Sequence, residues 1–197
     1  MKEYFKSNKP KISLILISVF FITNIITLIS PEISSFLMLK PSNLREPWNW
    51  YRFFSYPLYI GGLLTWFHVS LVIFLTGLII ENRIGKQNTL GLIVLSSFIG
   101  GLIFIIINQD DLTNRAIATP TMISWGYWAS AIIVGLKFWK QLNIFEKIVI
   151  FLCLLSIFGI ISDDFGFTIG QISVIGSVMI LTILWIKTNK KNRLQQK

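Results

Sequence analysis

Between Thr89 and Asn108 the chain reads TLGLIVLSSFIGGLIFIIIN, a stretch with no charged side chain. A transmembrane helix needs roughly 20 mostly apolar residues to cross about 30 Å of hydrocarbon. Five other stretches pass the same test, giving candidate spans at about 12–30, 58–80, 89–108, 121–137, 146–162 and 167–186. Composition agrees: of 197 residues 53% are hydrophobic and only 14% charged, where soluble domains carry about 25% charged residues. Cys153 is the one cysteine and cannot close an intramolecular disulfide; with His68, the one histidine, it falls short of a zinc ligand set. No glycine-rich phosphate loop or dinucleotide fingerprint occurs. No metal and no cofactor is expected.

The first apolar run, Ile12 to Ser30, follows a Lys-rich start, but no A-x-A-like cleavage site succeeds it in Leu28-Ile29-Ser30-Pro31. It is expected to stay as the first span. Six spans put both termini on one side. That side holds 14 of the 18 Lys and Arg residues and three of the nine acids, the other side four and six. The Lys/Arg bias predicts that the termini are cytoplasmic. It also accounts for the net charge of +9 without nucleic acid. The expected organisation is a cytoplasmic segment 1–11, a membrane domain 12–186 and a basic cytoplasmic tail 187–197 against anionic headgroups.

Most loops are short. The exception, 31–57, contains Phe36, Leu37, Met38, Leu39, Trp48, Trp50, Tyr51, Phe53, Phe54 and Tyr56. Aromatic rings with polar edges favour the membrane boundary, so this loop is expected on or partly in the outer leaflet. Small residues four apart (Ser96/Gly100, Ser97/Gly101, Gly166/Gly170, Ser173/Ser177) mark places where helices approach closely. No charge lies deep in a span and no strong internal repeat is visible, which argues against an ion-coupled or inverted-repeat carrier. Pro120 disfavours helix at Thr119. The fourth helix is therefore expected to run from near Ser124 to near Trp139, with irregular backbone before it that must be shielded by protein or face a water-filled cavity.

Two stretches carry a family resemblance. Trp50-Tyr51-Arg52-Phe53-Phe54-Ser55-Tyr56-Pro57 is similar to the W-R-x-x-T-x-x-F segment that ends the first loop of rhomboids, the intramembrane serine proteases and their inactive relatives. Gly77-Leu78-Ile79-Ile80-Glu81-Asn82-Arg83-Ile84-Gly85 resembles their G-x-x-x-E-x-x-x-G at the cytoplasmic end of the second span, and Gly100-Gly101 also fits. The resemblance covers about Trp50 to the C-terminus. It implies an all-α, polytopic, six-transmembrane-helix rhomboid-like bundle in a bacterial cytoplasmic membrane.

It also implies where a site would lie. The family's nucleophilic serine, in G-x-S-G, falls on Ser124, with Met122 and Trp125 in place of the flanking glycines. The span-six histidine that serves as its base falls on Gln171; nearby registers give Ser173 or Asp163. A glutamine orients a hydroxyl but takes no proton near neutral pH, and general-base catalysis contributes about 10²–10⁴-fold. With Glu81 fixing the register, the oxyanion positions of span two fall on Thr65 and Val69; Thr65 can donate one hydrogen bond and Val69 none. His68 is displaced by three residues from Thr65 and reads as a packing histidine in preference to a catalytic one. Ser124 reads equally as a helix-start serine capping backbone amides, and Cys153 as a small buried hydrophobe.

The first expectation is therefore a rhomboid-like protein without ordinary protease activity, whose partners are the bilayer and transmembrane helices of client proteins. The alternative is an active intramembrane serine endopeptidase using Ser124 with an atypical base. A carrier or channel unrelated to rhomboids is the third.

Overall fold

The computed structural model describes residues 9–42, 46–109, 115–155 and 165–195, with the side chains of 165–167 and 189–195 outside that description. The helices are α1 (Lys11–Ile29), α2 (Glu32–Leu37), α3 (Arg52–Ser55), α4 (Leu63–Ile84), α5 (Lys86–Ile107), α6 (Thr121–Phe138), α7 (Ile144–Leu155) and α8 (Phe165–Gln195), with 3₁₀ turns at Pro47–Tyr51, Tyr56–Leu58 and Trp139–Gln141. No strand is formed among the described residues; Leu39 and Ile117 make one isolated antiparallel bridge.

Among the described residues four helices are long and apolar enough to cross a membrane: α1, α4, α5 and Thr168–Thr188 of α8. Four of the six expected spans are thus met on length and composition. α6 has 18 residues, several of them Trp, Tyr and Ser. The described part of α7 has 12 residues, about 18 Å of rise, and the rest of that expected span falls outside the described residues. α8 continues unbroken to Gln195, so the basic segment after 187 extends the helix.

The distribution of side chains is that of a lipid-solvated bundle. Leu64 and Ile29 are 83% and 77% exposed, while Ser13, Ser96, Ser130 and Thr182 are fully buried. Small and hydroxylic residues let helices approach closely where lipid offers no hydrophobic drive between them. α6 is the hub, packing on α4, α5, α7 and α8. A methyl group at Gly126 would overlap Ser96, and Thr182 donates to Ser130 Oγ at 3.1 Å across α8 and α6. Met122 fills the notch left by Gly100 and Gly170. A methyl at Gly100 would lie 2.6 Å from Met122 Cγ and 2.9 Å from its Cβ. Gly100→Ala is therefore expected to cost about 1–3 kcal/mol in denaturant titration of the detergent-solubilised chain, as overpacking does. Adding Met122→Ala should cost less than the sum of the two single changes, because it removes the Cγ and Sδ contacts and leaves only the Cβ one.

One end of the bundle gathers the start of α1, the α4–α5 turn, the start of α7 and the later part of α8. Ser13 meets Glu81, Arg83 pairs with Glu146, and Trp185 lies against Gly91. Glu81 Oε1 accepts hydrogen bonds from the Ser13 amide at 2.7 Å and the Ser13 hydroxyl at 2.6 Å, and Oε2 from the Ile12 amide at 3.0 Å. A carboxylate from another helix thus caps the start of α1, where Pro10 has no side chain that can. Gly77, one turn before Glu81, lets Ser13 close in; a methyl there would overlap its hydroxyl. Gly85 ends α4 at φ +87°, which favours glycine, and is also the N-cap residue of α5.

The opposite end carries the long loop. Arg52 is buried and donates from Nη1 to the carbonyls of Ser35 at 2.6 Å and Met38 at 2.7 Å, tying α3 to the end of α2. Tyr56, fully buried, donates to the Ser97 carbonyl at 2.9 Å; burial pushes its pKa above the ordinary tyrosine range. Leu39, Phe53 and Tyr56 close over Gly101. Phe36, Trp48, Trp50, Tyr51 and Phe54 face outward. Arg115 to Pro120 is non-helical, as expected, and Ile117 within it is buried and bridged to Leu39 through two backbone bonds at 2.9 and 3.0 Å. The helix that follows begins at Thr121, three residues earlier than expected. Pro120 restricts the residue before it and leaves the residue after it free to be helical.

Candidate functional site

α4 and α6 enclose a cavity of about 140 Å³ lined by Thr65, His68, Val69 and Val72 on one side and Thr121, Ser124, Trp125 and Trp128 on the other. Three residues singled out from the sequence, Ser124, Thr65 and His68, therefore meet at one place, close to the N-terminal ends of both helices. Val69 lines the same cavity and contributes only apolar wall.

Ser124 is the fourth residue of α6. Its hydroxyl donates to the Thr121 carbonyl at 2.8 Å, within its own helix. It does not cap backbone amides, which corrects one of its two expected readings. The reason is position: a cap stands before the first turn, and here Thr119 Oγ1 takes the Thr121 amide at 3.3 Å. The Ser124 proton is thus held by a carbonyl, and among the described residues no base hydrogen-bonds to it.

His68 is also not the expected packing histidine. It is exposed, and its ring makes no hydrogen bond to a described residue. The same holds for Thr65. Both lie on the outward-facing part of α4 with Leu64 and Phe67, while the helix buries its opposite face through Ser70, Ile73 and Gly77. The three-residue displacement from Thr65 keeps His68 on the same side of the helix.

Gln171 is buried in α8, next to Gly170, where an added methyl would meet Met122 and the Gly100 carbonyl. It does not line the cavity. Ser173 is half-buried further along the helix, and Asp163 lies outside the described residues. Trp125 and Trp128 stand edge-on with ring centres 5.0 Å apart. The Trp128 indole N–H is buried without an acceptor among the described residues. Sequence reasoning left Trp128 out, and nothing in its local pattern marks it; only the packing of α6 against α4 brings it here. Trp50, Arg52, Gly77, Glu81 and Gly85 all lie away from the cavity, in the loop or at the far end of α4. Cys153 is buried and reduced, as expected of a small hydrophobe. Among the described residues no group of three or more His, Cys, Asp and Glu is placed to hold a metal ion.

Comparison with protein-family models, with curated proteins and with solved structures finds no match to this chain.

Proposed function

We propose that this chain is a rhomboid-like, six-span protein of a bacterial cytoplasmic membrane, with both termini in the cytoplasm, that binds transmembrane segments of client proteins and lacks ordinary serine-protease activity. The observation that carries the reading is the state of Ser124: its hydroxyl proton goes to the Thr121 carbonyl at 2.8 Å, and Gln171 does not reach the cavity wall. A serine hydroxyl is a poor nucleophile until a base takes its proton. The scaffold residues support the resemblance in a different way. Gly77, Glu81 and Gly85 each join helices, and Arg52 holds the first loop together. The side-chain placement supports a bilayer, and the gathering of the α1 start and the later part of α8 at one end supports termini on one side.

A fluorophosphonate probe on the purified chain tests it. Labelling should equal that of Ser124→Ala. Labelling that disappears in Ser124→Ala overturns the reading in favour of an enzyme. One observation favours that second reading, an intramembrane serine endopeptidase with His68 as the atypical base: His68 and Ser124 line the same cavity. On that reading labelling disappears in His68→Ala as well.

A further inference from the structure

His68 lies five residues beyond the first residue of α4, about 7.5 Å along the axis. An ionisable side chain inside a membrane span is costly unless it pairs with something. His68 has no described partner and opens to the outside of the bundle. The cavity beside it offers the Thr65 hydroxyl, also without a described partner; the hydroxyls of Thr121 and Ser124 line it too, but are engaged by Thr119 Oγ1 and the Thr121 carbonyl. Trp125 and Trp128 complete its walls, and the buried Trp128 indole N–H has no acceptor among the described residues. Among the described residues no Asp or Glu lines the cavity. Its walls thus present the imidazole of His68 and the hydroxyl of Thr65 with no described carboxylate to meet them, and the remainder is Val69, Val72 and aromatic surface. A volume of about 140 Å³ matches a few water molecules, which suits the end of one side chain and excludes a whole helix.

We infer that this cavity receives the carboxyl side chain of an Asp or Glu carried by a client's transmembrane helix, with the His68 imidazole and the Thr65 hydroxyl donating to it. The inference rests on the client-binding reading above and names its selectivity. An acid alone in lipid is costly, and a donor-lined cavity opening sideways from a span relieves that cost. The matching acid lies at the depth of His68, about five residues from the end of the client's span that sits beside the start of α4.

The test uses the full chain in phosphatidylcholine nanodiscs and synthetic Leu/Ala transmembrane peptides with one guest residue at that depth. Binding is read by energy transfer. The Glu peptide should bind about tenfold more tightly than the Leu peptide, a difference of one decade in Kd. His68→Ala and Thr65→Val should each bring the Glu peptide towards the Leu value while leaving the Leu peptide unchanged. If His68→Ala does not fold, the peptide series on the unaltered chain and the Thr65→Val arm decide. Equal binding of Glu and Leu peptides overturns the inference and leaves client binding standing. A Gln peptide that matches Glu overturns the carboxyl assignment. Displacement by oleate with no preference for the Glu peptide moves the carboxyl chemistry to a lipid and overturns the helix-borne ligand. No binding by any peptide overturns the client-binding reading along with it.

Discussion

Glu81→Ala is expected to destabilise the chain by about 3 kcal/mol, since hydrogen bonds to a charged group contribute about 1.5–3 kcal/mol and loss of a helix cap typically about 1. The carboxylate is buried and accepts from two amides and one hydroxyl at the start of α1. Those amides belong to the group that no helix can satisfy from within, and Pro10 before them carries no capping oxygen. Truncation leaves the Ser13 and Ile12 amides without an acceptor at the positive end of the α1 dipole. Glu81→Gln keeps one oxygen and loses the charge, so it should fall about halfway. Ser13→Ala removes the hydroxyl that donates to Glu81 and meets the buried Tyr127 hydroxyl at 3.3 Å, and should cost about 1 kcal/mol. Denaturant titration in mild detergent, followed by tryptophan fluorescence, orders the three variants. A Glu81→Ala protein within about 0.5 kcal/mol of the parent, the range of an ordinary surface change, would mean that α1 does not depend on this cap.

The same residue shows how far the sequence is legible. Glu81 stands out as a motif position together with Gly77 and Gly85, but its work depends on a helix 68 residues away, which no local pattern reveals. The four apolar helices were legible because hydropathy is summed along the chain. α6 was harder: enclosure by four neighbours lets it carry Trp, Tyr and Ser without an apolar stripe, and its start depends on which side of Pro120 the restriction acts. His68 misled because burial of a helix position depends on which face meets a neighbour, and α4 turns that face outward. Ser124 was found from a family register, yet its hydroxyl's partner is set by its depth in the helix. One signal was present and unread. Asn143-Ile144-Phe145-Glu146 has the spacing of a capping box, and the structure forms it: the Glu146 amide donates to Asn143 Oδ1 at 2.9 Å and the Asn143 amide to Glu146 Oε2 at 3.0 Å.

Glu146 supplies the other large effect. Counted from the sequence it is one more acid on the cytoplasmic side; in the structure it is buried. Its carboxylate takes Arg83 Nη1 at 2.8 Å and Nη2 at 3.2 Å, a paired contact that locks the end of α4 to the start of α7. Removing one member of a buried ion pair leaves the other uncompensated, at about 3–5 kcal/mol. Arg83 keeps some solvent, with its side chain 18% exposed, and also donates to the Ile79 carbonyl at 3.1 Å. The lower end of that range, about 3 kcal/mol, is therefore expected for Glu146→Ala. The decisive comparison is with the double variant Arg83→Met, Glu146→Leu. It loses the same cap and the same ion pair but strands no charge, so it should be more stable than Glu146→Ala alone. If the double variant is instead the less stable of the two, by the same titration, the pair contributes attraction beyond its desolvation cost, and α4 and α7 are held by charge where packing was expected to suffice.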